Sequence, residues 1–78
     1  MVTIIMLIQG RAGTIWDAAK RIEEIEGVQT AHIVTGPYDI VVYIELPSAD
    51  GLRHLTKQIH EIDGVNRTET CIAMGSFI

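Results

Sequence analysis

Short aliphatic runs alternate along this chain with amphipathic stretches, and glycines mark the joins. Val2 to Ile8 reads Val-Thr-Ile-Ile-Met-Leu-Ile, a β-branched and aliphatic run that predicts a first strand. Arg11-Ala12-Gly13 breaks it. Ile15, Ala18, Ala19, Ile22 and Ile25 then recur at helical spacing, with Lys20, Arg21, Glu23 and Glu24 on the other side, so a first helix follows. Thr14 stands where an N-cap belongs, and Asp17 favours the positive end of that helix. Gly27 closes it as a left-handed cap. A second strand is predicted from Val28 to Val34, a turn at Gly36-Pro37-Tyr38-Asp39, and a third strand from Ile40 to Leu46. Pro47 and Ser48 end that strand, and Ser48 caps a second helix whose Leu52, Leu55, Ile59 and Ile62 share one face. Gly64 closes the second helix, Val65 to Met74 forms a fourth strand, and Gly75 to Ile78 is a short tail.

The predicted order is βαββαβ, and an internal repeat supports it. Ile25-Glu26-Gly27-Val28 returns as Ile62-Asp63-Gly64-Val65, 37 residues on, each time ending a helix and starting a strand. Right-handed crossovers place both helices on one face of the sheet. The fold class is therefore α+β: a ferredoxin-like sandwich with a four-stranded antiparallel sheet in the order 4-1-3-2. Strands one and three carry aliphatic residues at both parities, as central strands should, whereas strands two and four carry the polar residues of edges. Side chains alternate between the faces of a sheet. The face without helices would thus show water a broad apolar patch, and patches of more than a few hundred Å² mark interfaces. A twofold-related second copy is the simplest cover.

Composition sharpens this picture. Seventy-eight residues make one domain, 1–78, and a chain of this size has a thin core. Yet 47% of its residues are hydrophobic and its mean hydropathy is +0.26, an apolar surplus that another subunit would absorb. The apolar runs are far shorter than the roughly 20 residues of a membrane-spanning helix, and no leader pattern opens the chain. A single cysteine, Cys71, excludes an internal disulfide. A soluble cytoplasmic protein is the expectation. Six basic and ten acidic residues give a net charge of −4, with no basic cluster to neutralise a phosphate backbone, so direct nucleic-acid binding is not expected.

Catalytic motifs are missing. The sequence has no CxxC, HExxH or glycine-rich phosphate loop, and no cofactor or metal is predicted. His54 and His60 lie six apart on the second helix, off the four-residue spacing of paired ligands, and read as solvated residues. His32 sits in an edge strand, where it faces either water or a pocket. Cys71 reads as a buried, inert thiol, and Trp16 as a packing or interface residue. Two constellations remain. Thr35-Gly36-Pro37-Tyr38-Asp39 is either a plain connector or a source of turn N–H donors and a carboxylate. Arg67-Thr68-Glu69-Thr70 is either a hydrated edge or a source of two hydroxyls on one face. Together they suit a small zwitterion better than a nucleotide.

These segments carry a resemblance. Ile-Glu-Gly-Val, then His-Ile-Val-Thr-Gly-Pro-Tyr-Asp-Ile-Val-Val, then Ile-Asp-Gly-Val-Asn-Arg-Thr-Glu-Thr closely resemble the effector (RAM) domain of the Lrp/AsnC transcription regulators, over nearly the whole chain. The resemblance implies dimers paired through their sheets and gathered into octameric or similar rings. It also implies small effectors, usually amino acids, bound between dimers near the turn and the last strand. Carried over, the site residues are Thr35, Gly36, Tyr38 and Asp39 with Thr68 and Thr70. The family's helix-turn-helix is missing here. The expectation is thus a non-enzymatic, stand-alone amino-acid-sensing module that acts on full-length relatives or other proteins. Two alternatives stand beside it. One is an ACT-like regulatory domain leaning on Gly13, which leaves the Gly-Pro-Tyr-Asp turn unexplained. The other is a small dimeric α+β-barrel enzyme using His32 or Tyr43.

Overall fold

Alternation of buried and open side chains along the aliphatic central strands sets the architecture. In the computed structural model, which describes residues 1–75, the chain forms β1 (Val2–Gly10), α1 (Ile15–Glu23), β2 (Val28–Ile33), β3 (Ile40–Leu46), a 3₁₀ turn (Ala49–Gly51), α2 (Leu52–His60) and β4 (Val65–Ile72). The tail expected at residues 75–78 lies outside the described residues beyond Gly75. All strands are antiparallel, in the order β2-β3-β1-β4. This is the ferredoxin-like α+β order expected from the sequence.

One parity of each central strand builds the core. Ile4, Met6 and Ile8 of β1 and Ile40, Val42, Ile44 and Leu46 of β3 are buried together with Ala18, Ala19 and Ile22 of α1 and Leu55 and Ile59 of α2. Both helices therefore cover the same face. Ala31 and Ile33 of β2 pack against this cluster, as do Ile25, Leu52 and Ile62.

The element ends differ from the sequence reading for local reasons. β1 runs on to Gly10 because its last residues still have partners on β4, Gln9 with Arg67 and Gly10 with Val65. β4 stops at Ile72, opposite Ile4, and the amide of Ala73 closes the ladder on the carbonyl of Thr3 at 2.9 Å. Neither helix uses the expected side-chain cap. The Thr14 hydroxyl turns back to donate to the Arg11 carbonyl at 2.6 Å. Ser48 precedes the 3₁₀ turn, and α2 begins only after that turn. The two copies of the repeat end alike, with Gly27 and Gly64 both at φ +98°. At Gly64 space matters as much as conformation. A Cβ there would overlap the Thr14 side chain, while the Gly64 carbonyl accepts from the Arg11 amide at 2.8 Å. Gly64 thus stitches the second half of the chain to the start of α1.

Candidate functional site

The turn between β2 and β3 is fastened from several sides. Gly36 adopts φ +116°, a region that favours glycine. At the turn's exit the Asp39 amide donates to the Ile8 carbonyl at 2.8 Å, and the Asp39 carbonyl accepts from the Val34 amide at 2.9 Å. The Asp39 side chain works too, since its Oδ2 accepts from the Gly10 amide at 2.9 Å. Gln9 Nε2 donates to the Pro37 carbonyl at 2.7 Å. Thr35 and Gly36 at the tip are exposed, whereas Tyr38 and Asp39 are half-buried.

Tyr38 links the turn to β4. Its hydroxyl donates to Glu69 Oε1, and Arg67 Nη2 lies 3.6 Å from the same oxygen. This hydrogen bond raises the Tyr38 hydroxyl above its ordinary pKa; desolvation and the Glu69 charge push the same way, and the Arg67 cation opposes them. A phenol that donates to a carboxylate would lose that bond on ionising, which is the physical source of the shift.

Register decides what else approaches the turn. Arg67, Glu69 and Cys71 stand opposite Gln9, Leu7 and Ile5 on the face away from the helices. Thr68 and Thr70 stand opposite Ile8 and Met6 on the helix side. The Thr68 hydroxyl there lies 2.9 Å from His60 Nε2. Within one chain, then, the turn's side-chain bond to β4 runs to Glu69, while Thr68 and Thr70 on either side of it point to the other face. Sequence reasoning passed over Glu69. The usable signal was parity: an acid between two threonines must point to the opposite face from them.

The open sheet face carries Ile5, Leu7, Val41 and Tyr43, with Tyr43 39% exposed and Ile5 38%. Cys71, expected to be buried, is exposed on this face instead, because its edge strand has no cover there. Thr30 and His32 also lie on it, opposite Tyr43 and Val41. Trp16 is 77% exposed and lies outside the core formed by the described residues. Several concavities lie away from the turn, two of them beside the ends of β1 and β3. One, of about 460 Å³, is lined by Gly27, Leu46, Pro47, His54 and Leu55 among others; the second flanks the open face at Thr3, Tyr43, Ile72 and Met74. His32 lines neither. Among the described residues no cluster of three or more His, Cys, Asp or Glu is placed to hold a metal, and no helix is long and apolar enough to cross a membrane.

Comparison with known proteins places this geometry. Residues 3–78 match the Lrp/AsnC ligand binding domain. An uncharacterized HTH-type transcriptional regulator of Pyrococcus furiosus is 34% identical over 62 residues, 70% of this chain and 42% of that protein. The chain thus spans less than half the length of that relative. The crystal structure of TTHA0845 from Thermus thermophilus superposes with a TM-score of 0.94 at 33% identity, covering 100% of this chain and 99% of that one. A feast or famine regulatory protein from M. tuberculosis, solved in complex with L-methionine, superposes with a TM-score of 0.84 at 26% identity, covering 100% of this chain and 53% of that one. The ACT-like reading gives way to these matches. With the Thr-Gly-Pro-Tyr-Asp turn in its expected place between two antiparallel strands, the chain belongs to the Lrp/AsnC ligand-binding domain family.

Proposed function

We propose that this protein is a regulatory effector-binding module rather than an enzyme. It senses an amino acid in the cytoplasm and passes its state to transcription regulators through protein contacts. The observation that carries the reading is the fastened turn, a rigid loop with exposed backbone at Gly36 and carboxylates of Asp39 and Glu69 at its base. Backbone N–H groups around Gly36 are open to an α-carboxylate, since no Cβ stands in the way. One oxygen of Asp39 is committed to Gly10, and its other oxygen remains to accept from an α-ammonium, a charge-assisted bond roughly twice as strong as a neutral one. Thr35 and Tyr38 border this position. Thr68 and Thr70, on the helix side of the β4 edge, join it from a neighbouring dimer. The M. tuberculosis relative solved with L-methionine supports the ligand class.

The module pairs through its open sheet face, and pairs gather into a ring with effector between them. An effector that bridges two dimers strengthens assembly, and assembly strengthens effector binding by the same factor. With a net charge of −4, the chain itself does not read duplex DNA. A thermal-shift screen against the twenty amino acids tests the proposal. At a hundredfold excess over Kd a true effector adds about 2.7 kcal/mol of stability. If no amino acid raises the melting temperature or alters assembly, the sensing role falls.

A further inference from the structure

The open face is ordered in rows that run across the sheet. His32 on β2, Val41 on β3, Leu7 on β1 and Glu69 on β4 form one row; Thr30, Tyr43, Ile5 and Cys71 form the next. Each row is apolar at its centre. The first carries an imidazole at one edge and a carboxylate at the other. We infer that, in the sheet-face dimer on which this step rests, His32 of one copy pairs with Glu69 of the partner subunit, and that this pair fixes the dimer's orientation and makes its affinity depend on pH.

Two orientations are open to a twofold axis lying between the faces. If it runs across the strands, β2 covers the partner's β2 and β4 covers the partner's β4. The row order is then reversed and His32 and Glu69, on opposite edges, cannot meet. If it runs along the strands, β2 of each copy covers β4 of the other with the rows preserved, and His32 faces Glu69 twice. Only the second arrangement brings the imidazole to a carboxylate, and opposite charges facing one another are favourable, so the pair selects it. Aligned packing within about 30° keeps the rows facing one another. Glu69 is already aimed, because the Tyr38 hydroxyl holds Oε1 and leaves Oε2 for a partner. His32 is exposed and has no hydrogen-bond partner among the described residues of its own chain.

Among the described residues, the other titratable or charged groups on this side include Tyr38, Asp39, Tyr43, Glu45, Arg67 and Cys71. His54 and His60 lie on α2, behind the sheet. Histidine is the side chain whose charge ordinarily changes between about pH 5 and 8. A carboxylate facing it favours the imidazolium, so pairing takes up protons and the dimer tightens as pH falls. Two such pairs, each of the modest strength usual for an ion pair at a protein surface, tighten it about fivefold between pH 7.5 and pH 6.

Sedimentation equilibrium at the two pH values reads this directly. Wild type shows the fivefold change, and His32→Gln and Glu69→Gln each flatten it. Orientation is read separately by Thr30→Cys, which faces Cys71 of the partner subunit. A short bis-maleimide joins the two copies, and Cys71→Ser abolishes the link. Within one chain these positions are three strand spacings, roughly 14 Å, apart, beyond such a reagent. A pH slope that survives His32→Gln, or a crosslink that survives Cys71→Ser, overturns the pairing. If Tyr43→Asp stays dimeric, the sheet-face dimer itself is wrong and the pairing falls with it.

Discussion

Asp39 has two uses for one carboxylate. Oδ2 satisfies the Gly10 amide where β1 ends, and the effector reading asks the other oxygen to take an α-ammonium. The two uses separate by substitution. Asp39→Ala leaves a half-buried N–H without its acceptor and costs about 1–3 kcal/mol in a urea titration. Asp39→Asn retains an acceptor for Gly10 but removes the charge. It should fold nearly as well as wild type and bind the effector about ten- to a hundredfold more weakly by calorimetry, the loss of a charged hydrogen bond worth roughly 1.5–3 kcal/mol. Unchanged affinity would leave Asp39 as a turn residue only. Tyr38 gives a pH test. Its pKa is raised in the fold, first by its hydrogen bond to Glu69, so the folded state holds the phenolic proton more tightly than the unfolded state. That contribution is full below the ordinary tyrosine pKa of about 10 and is lost as pH rises through the raised folded value. The stability gap between wild type and Tyr38→Phe should accordingly narrow in strongly alkaline solution; a gap that stays constant would mean the hydrogen bond does not persist in solution. At this scale the sequence was legible for Tyr38 and Asp39, since their turn is defined by local chemistry. It was not legible for Glu69 against Thr68 and Thr70. β4 is polar at both parities, so only its register against Ile5, Leu7 and Gln9 says which side chains point where.

Among the elements, both helices were readable from their helical periodicity and closing glycines, and the strands from β-branched and aliphatic runs bounded by glycine or proline. Their ends were not, since an end depends on whether the neighbouring strand still offers a partner, as Asp39 and β4 do for Gln9 and Gly10. The caps were misread for a similar reason. The Thr14 hydroxyl donates to the Arg11 carbonyl and accepts from no N–H of the helix. The glycines offer a graded test of how the elements lock together. Gly36 and Gly64 both have positive φ, but a Cβ at Gly36 meets nothing within 4 Å, whereas one at Gly64 strikes Thr14. Gly36→Ala should therefore lose only the conformational share, about 1–2 kcal/mol. Gly64→Ala should lose clearly more, and Thr14→Gly in the same chain should recover the excess. Chemical denaturation at one fixed protein concentration measures all three, because assembly shifts apparent stability. Equal losses at Gly36 and Gly64 would mean that the packing of Thr14 on Gly64 contributes nothing.

For the whole molecule, a thin core and an apolar face belong together. A 78-residue chain has limited interior to build on, and this one places one parity of β1 and β3 inside while the other stays on the surface. The existence of that outer patch followed from the sequence, because both central strands are aliphatic at both parities. Which parity lay outside did not, since Val42 and Tyr43 are equally compatible with a strand in isolation. The structure separates them: Val42 is wholly buried and Tyr43 is 39% exposed. Their aspartate variants should therefore fail differently. Val42→Asp puts an unpaired charge under the helices at a cost of several kcal/mol, comparable with the whole stability of a small domain, and it should not fold. Tyr43→Asp leaves that core untouched in the single chain, so its circular dichroism should remain native. In a sheet-to-sheet dimer, however, the new carboxylate would be trapped between two apolar faces and repeated by the twofold, with Glu45 two residues away on the same strand and face. Association should then weaken by at least about a hundredfold, the cost of an unpaired buried charge, giving a folded monomer at micromolar concentration in light scattering where wild type is at least a dimer. A monomeric, well-folded wild type under the same conditions would refute assembly through this face, and the apolar surplus of the sequence would need another cover.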